Sequence, residues 1–312
     1  MKVIYDGNTD KRVMKEAIVD ASKKLMKDEK CVWLEADLAG CDGVKALFGD
    51  SERYINCGVA ESNMIGICAG LASNGMKPYC HSFAPFVSRR TFDQAFLSAG
   101  YAQNPITVIG TDPGITATFN GGTHMPFEDT GVYRMIPGAT VCDATDYAML
   151  YNFLMLAKDM DGVKYVRAQR KAFQTFYADD SKFEIGKGIV CREGKDCLIV
   201  ASGIMVHEAM QAAEKLSKDG IECTVIDPFT VKPLDVELIR KYAKDCGKVV
   251  VAENHNKIGG LVSAVQDAIV DLGCKFGYVA IEDEYGQVGP QDFLREEYKL
   301  TDDHIIEVVK SL

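Results

Sequence analysis

An acid opens an apolar stretch at Cys57-Gly58-Val59-Ala60-Glu61-Ser62-Asn63-Met64. Such a carboxyl can carry chemistry. It also suits a plain helix start, where the backbone dipole favours an acid by roughly 0.3–1 kcal/mol. Spacing alone leaves both roles open and makes the helix start the simpler one. Further on, Phe83-Ala84-Pro85-Phe86 sets two aromatic rings around a proline. They can line a flat apolar slot or fill a core. Arg90 and Asp93 follow, one helical turn apart, and can pair. The next polar run is Gly110-Thr111-Asp112-Pro113-Gly114, leading to Asn120-Gly121-Gly122-Thr123-His124-Met125-Pro126-Phe127-Glu128-Asp129. Imidazole gains and loses a proton near neutrality, so His124 in a glycine-rich loop suits a general acid or base. A lone histidine is ordinarily a surface or hydrogen-bonding residue.

These residues need a frame. Short β-branched runs predict strands at Cys31–Leu34, Ile106–Ile109, Thr140–Cys142, Lys164–Arg167, Cys197–Ala201, Cys223–Ile226, Lys248–Ala252 and Tyr278–Ile281. Amphipathic stretches predict helices at Arg12–Lys27, Asn63–Ser73, Thr91–Tyr101, Tyr147–Ala157, Val206–Lys218, Val236–Ala243 and Leu261–Leu272. Strands this apolar belong in sheets covered on both faces, and the alternation of elements implies βαβ units. Ligands in such sheets bind beyond the carboxyl ends of the strands, where the His124 loop falls. A polar, glycine-punctuated break near Gly186 divides the chain. The fold class expected is α/β, with two consecutive three-layer α/β/α domains and mostly parallel sheets, over residues 1–186 and 187–312.

Composition narrows the partners. A net charge of −10 argues against nucleic acid and anionic membrane surfaces. No apolar run is long enough for a membrane span, and the first residues lack a signal peptide's apolar core. Eleven cysteines, without a Cys-x-x-Cys pair, read as free thiols of a reducing cytoplasm, many of them buried, as at Cys31, Cys68, Cys197 and Cys223. The histidines are few and not at ligand spacing, so no metal site is expected on this chain.

Taken together and in order, the motifs resemble a known family. Val59-Ala60-Glu61 with Asn63-Met64-Ile65-Gly66, the Phe83/Phe86 pair, Phe92-Asp93-Gln94, and Gly-Gly-Thr-His with Glu128-Asp129 look like the C-terminal half of transketolase. The likeness is greatest to the separate C-terminal subunit of split bacterial transketolases. Glu253-Asn254-His255-Asn256 with Gly259-Gly260-Leu261 resembles that subunit's second domain, so the similarity spans nearly the whole chain.

The resemblance implies thiamine diphosphate and two-carbon ketol transfer between a ketose and an aldose. The cofactor acts as an electron sink while a C–C bond breaks. Glu61 matches the glutamate that hydrogen-bonds N1′ of the aminopyrimidine. Phe83 and Phe86 match the aromatic wall around that ring, where stacking is worth about 0.5–1.5 kcal/mol beyond burial. Asp37 matches an aspartate near the cofactor, and His124 a histidine that touches the sugar's reacting oxygens. Arg12 and Arg170 match arginines that hold substrate phosphate, and surface ion pairing stands open for both.

One part is absent from the sequence. The family holds Mg²⁺ and the diphosphate at a Gly-Asp-Gly motif, which the sequence lacks. The resemblance therefore implies an N-terminal-type partner subunit, a cofactor at a subunit interface, and a cytoplasmic heterotetramer of two copies of each chain. Two loops depart from the family. Gly110-Thr111-Asp112 stands where Gly-Thr-His is usual, and Asn120 falls where an aspartate is usual; both replaced residues touch donor-sugar hydroxyls. Cys41 stands where a phosphate-contacting serine is common. These swaps imply a sugar other than the usual pentose phosphate, such as an unusual ketose phosphate or a sulfonated or branched sugar. The alternatives are the β subunit of a 2-oxoacid dehydrogenase, 1-deoxyxylulose-5-phosphate synthase, or a non-catalytic scaffold. The Thr-His-Met-Pro-Phe-Glu-Asp run favours transketolase. The second domain is expected mainly to support dimerisation, with His255 in a structural hydrogen bond.

Overall fold

The computed structural model describes residues 3–312 and divides the chain into two compact units. One comprises residues 3–113 together with Val132–Lys182; the other comprises Gly114–Gly131 and Phe183–Leu312. A break near Gly186 alone would leave Gly114–Gly131 with the first unit. The contacts instead group it with the second.

The first unit contains β1 (Thr9–Val13), β2 (Cys31–Glu35), β3 (Tyr54–Asn56), β4 (Lys77–Phe83), β5 (Ile106–Thr111), β6 (Thr140–Asp143), β7 (Val163–Ala168) and β8 (Ala172–Gln174). The order β3-β2-β4-β5-β7-β6 is parallel throughout. Every residue of β2, β5, β6 and β7 is buried, as expected for a sheet with helices on both faces. Leu34, Met64, Ile65, Val108 and Tyr165 belong to one buried cluster. Each apolar side chain of that size contributes about 1.5–3 kcal/mol on full burial. Tyr133 stacks on Tyr165 with ring centroids 4.0 Å apart. A Cβ at Gly110 would stand 2.4 Å from the Tyr165 hydroxyl, so only glycine fits at that point of β5.

The second unit contains β9 (Ile189–Arg192), β10 (Cys197–Ala201), β11 (Cys223–Asp227), β12 (Thr230–Lys232), β13 (Lys248–Asn256) and β14 (Lys275–Ile281). Its sheet runs β14-β13-β10-β11-β9, parallel except for β9. Asp235 caps the helix Val236–Cys246, accepting from the Leu238 N–H at 3.2 Å.

The strands expected from the β-branched runs all form. β3 and β4 were not legible, because Asn56, Pro78 and His81 break their apolar pattern. Arg12 lies in β1, antiparallel to β8, and the helix expected from Arg12 begins at Lys15. The stretch expected as one helix over Thr91–Tyr101 is a 3₁₀ turn, Arg89–Thr91, and a π-helical run, Gln94–Tyr101. All eleven cysteines are free. Among the described residues no helix is long and apolar enough to cross a membrane.

Candidate functional site

In the first unit the parallel register sets Glu35 beside His81, and Phe83 beside Thr111. The carboxyl ends of β2, β4 and β5 therefore deliver Asp37, Phe83 and Asp112 to one edge of the sheet. Glu61 is the first residue of the helix Glu61–Ser73 and is 3% exposed. Its Oε2 accepts from Arg90 Nη1 at 2.8 Å, and Ser62 Oγ donates to the Arg90 carbonyl at 2.8 Å. The guanidinium expected to meet Asp93 thus reaches back to Glu61. It also lies over the Phe86 ring, 4.4 Å from its centroid.

Phe83 ends β4, and Pro85 sits in the first turn of the short helix Ala84–Ser88. The proline presets the helical φ without losing a needed N–H. Phe83 and Phe86 meet edge to face with centroids 6.1 Å apart. Both are half-buried, which leaves ring surface that a flat heterocycle can cover. An acid beside two such rings fits the aminopyrimidine of thiamine diphosphate. Asp37 is exposed with φ 59°, and its backbone N–H donates to Asn56 Oδ1 at 3.1 Å. The same oxygen accepts from the Gly58 N–H, so Asn56 ties the loop after β2 to the approach to Glu61.

Asp112 follows β5 with φ 54° and is 3% exposed. Its Oδ2 accepts from Arg170 Nε at 2.8 Å and from Nη2 as well. Arg170 lies over the Phe83 ring at 5.0 Å. Burial disfavours the charged guanidinium, but the bonds and charge of Asp112 more than offset it, and the Arg170 pKa rises. Arg170 therefore stays charged beside the aromatic pair. Burial pushes the Cys41 thiol up.

Beneath this edge lie Glu35, Asp42 and His81, all fully buried. Asp42 Oδ2 accepts from Trp33 Nε1 and Oδ1 from the Val44 N–H, both at 2.9 Å. His81 Nε2 meets Thr111 Oγ1 at 3.0 Å. Burial, and then the adjoining Asp42, push Glu35 up to about 9. Burial also holds the His81 imidazole below its ordinary value, which Asp42 only partly offsets.

Arg12, Asn120 and His124 were also singled out. Arg12 donates to Asp10 and Asp179 and rests over Tyr147 at 3.9 Å. Asn120 is exposed and His124 half-buried on the segment of the second unit, where Thr123 Oγ1 meets His124 Nδ1 at 2.9 Å. Sequence reasoning missed what holds that segment. Asn254 Oδ1 accepts from the Ile115 N–H at 3.0 Å, and His255 Nε2 accepts from the Gly131 N–H at 3.3 Å. The Asn256 N–H donates to the Phe127 carbonyl at 2.8 Å. Glu253 caps the helix Leu261–Ile269 by accepting from the Leu261 and Val262 N–H groups. The Glu253-Asn254-His255-Asn256 run thus anchors the loop that carries Asn120 and His124. That run stood out in the sequence, but its use did not.

Residues 10–175 match the family described as "Transketolase, pyrimidine binding domain", and residues 186–305 match "Transketolase, C-terminal domain". The chain is 42% identical to the 6-deoxy-6-sulfo-D-fructose transketolase subunit SqwH of Clostridium sp. (strain MSTE9), over 90% of this chain and 88% of that one. It is 34% identical to an apulose-4-phosphate transketolase subunit of Phocaeicola vulgatus (strain ATCC 8482), over 74% and 75% of the two chains. A solved structure described as "Split gene transketolase, inactive beta4 tetramer" superposes with a TM-score of 0.86 at 32% identity, covering 96% of this chain and 97% of that one.

Proposed function

Since this chain belongs to the transketolase family, we propose that it is the pyrimidine-side subunit of a two-subunit transketolase whose donor is not the ordinary pentose phosphate. The observation that carries this is the buried Glu61 carboxyl, held on one oxygen by Arg90 beside the Phe83/Phe86 pair. Arg90 occupies Oε2 and leaves Oε1 to share a proton with a ring nitrogen. In a buried, low-dielectric recess that bond is strong and directional. The half-buried faces of Phe83 and Phe86 orient the flat ring and exclude water. When bound, thiamine diphosphate supplies the electron sink for ketol transfer.

The chain lacks a Gly-Asp-Gly motif, so an N-terminal-type partner supplies the Mg²⁺ ligands and the diphosphate contacts. The matched relatives named as subunits have nearly this chain's length, and the superposed tetramer of one subunit type is described as inactive. Both support an active complex of two copies of each chain, which we place in the cytoplasm. Arg170 holds the donor's anionic end, and Asp112 limits which anion it accepts. The departures at Asp112 and Asn120, with relatives named for a sulfonated and a branched sugar, support a donor of that kind.

The test is co-expression with the N-terminal-type neighbour, then steady-state kinetics with a panel of ketoses. A sulfonated or branched ketose is expected to exceed xylulose 5-phosphate in kcat/KM by about tenfold or more, as expected when a site is built around one substrate's polar groups. Best turnover on xylulose 5-phosphate would overturn the donor assignment. Glu61→Ala is expected to cut turnover by at least ~100-fold with folding intact, the scale of a lost proton-transfer partner. Unchanged turnover would make the chain a scaffold.

A further inference from the structure

Glu35 ends β2, His81 lies within β4, and Asp42 ends the short helix Ala39–Asp42. All are fully buried, and one donor atom from each lies within 4.8 Å of the others. Glu35 meets only Asp42 and the Tyr54 hydroxyl, and His81 Nδ1 has no hydrogen-bond partner. His81 Nδ1 stands 3.6 Å from Asp42 Oδ2, too far to be satisfied by it. Buried polar groups left this way are rare and each needs a cause. A proton shared between the two carboxyls would relieve Glu35 and Asp42 but leave the imidazole nitrogen without a partner. A divalent cation would satisfy all three groups at once and neutralise both carboxylates.

We propose that Glu35, Asp42 and His81 bind a structural zinc ion. A four-coordinate ion about 2.1 Å from each ligand sets donors roughly 3.4 Å apart, within a small side-chain adjustment of the positions here. The surroundings already resemble the outer shell of such a site. Thr111 fixes the far nitrogen of His81, and Trp33 and Val44 fix both oxygens of Asp42. Tyr54 or one water completes the set. Mg²⁺ fits poorly, since it keeps several waters in an octahedron and these three side chains are fully buried. The ion ties Asp42 to β2 and β4, and so fixes the loop that carries Asp37 and Cys41.

The test uses the full chain alone, which needs no partner, cofactor or sugar. Zinc chloride is titrated while the fluorescence of Trp33, the single tryptophan, is followed, and retained zinc is counted by mass spectrometry after dialysis. About one zinc per chain is expected, with a saturable Trp33 signal, because Trp33 donates to a proposed ligand. Glu35→Gln keeps the shape, so it should fold, and should weaken zinc binding at least ~10-fold; His81→Ala should abolish it. The proposal is overturned if the parent retains no zinc, or retains it without a Trp33 response, as thiol binding elsewhere would give. Equal affinity in the parent and Glu35→Gln overturns it too.

Discussion

At the scale of single residues, the pair Asp112–Arg170 bears most directly on the proposed choice of donor. The transketolase resemblance implies a histidine at this place, whereas here the buried Asp112 carboxylate holds Arg170 over Phe83. Asp112→Asn removes the charge and keeps the shape, so Arg170 becomes freer to meet a different anion. The expected outcome is a change of about tenfold or more in the ratio of kcat/KM between two competing ketoses. Affinity for thiamine diphosphate should stay unchanged, because Glu61 and its rings are untouched. Competition kinetics and a cofactor titration measure the two quantities. A loss of cofactor affinity instead would place Asp112 in the cofactor's site.

At the scale of elements, the loop Gly114–Gly131 matters most. It leaves the carboxyl end of β5 yet packs with the unit that follows in sequence, through the end of β13. Gly114 takes φ +54°, and a Cβ there would stand 2.2 Å from Asn254 Oδ1, so the close approach demands glycine. Asn254→Ala leaves the buried Ile115 N–H unpaired, at a cost of about 1–3 kcal/mol. Turnover of the reconstituted pair should fall, since the loop bearing Asn120 and His124 loses its anchor. Hydrogen exchange should rise in residues 114–131 before it rises in the sheets. Unchanged exchange there would show that the anchor is elsewhere.

At the scale of the whole molecule, stability should depend on one buried lysine. Lys164 is 2% exposed at the start of β7, and its Nζ donates to the Met160 carbonyl at 2.9 Å. Burial lowers its pKa from 10.5 to about 8. The unfolded chain thus binds more protons between those values, and the folded state gains stability as pH rises through that window. Below pH 8 the full penalty applies, on the order of 3 kcal/mol from the shift. Lys164→Met removes it, less the lost hydrogen bond. The variant should melt several degrees higher than the parent at pH 7, with the difference shrinking towards pH 10.5. A constant difference across that range would mean that the lysine is not desolvated in the folded chain.

The sequence by itself determined the α/β class, the predicted strands, the transketolase resemblance and the helix start at Glu61. Those depend on periodicity and on motifs whose residues are neighbours in the chain. It did not disclose that Arg90 turns to Glu61, 29 positions away, that Asp112 takes Arg170, 58 away, or that Asn254 holds Ile115, 139 away. Nor did ligand spacing reveal Glu35, Asp42 and His81, because two parallel strands and a turn bring them together. Only the tertiary structure decides such meetings. Side-chain partners in a parallel sheet come from separate strands, and the crossovers that set their register carry no local trace of what they join.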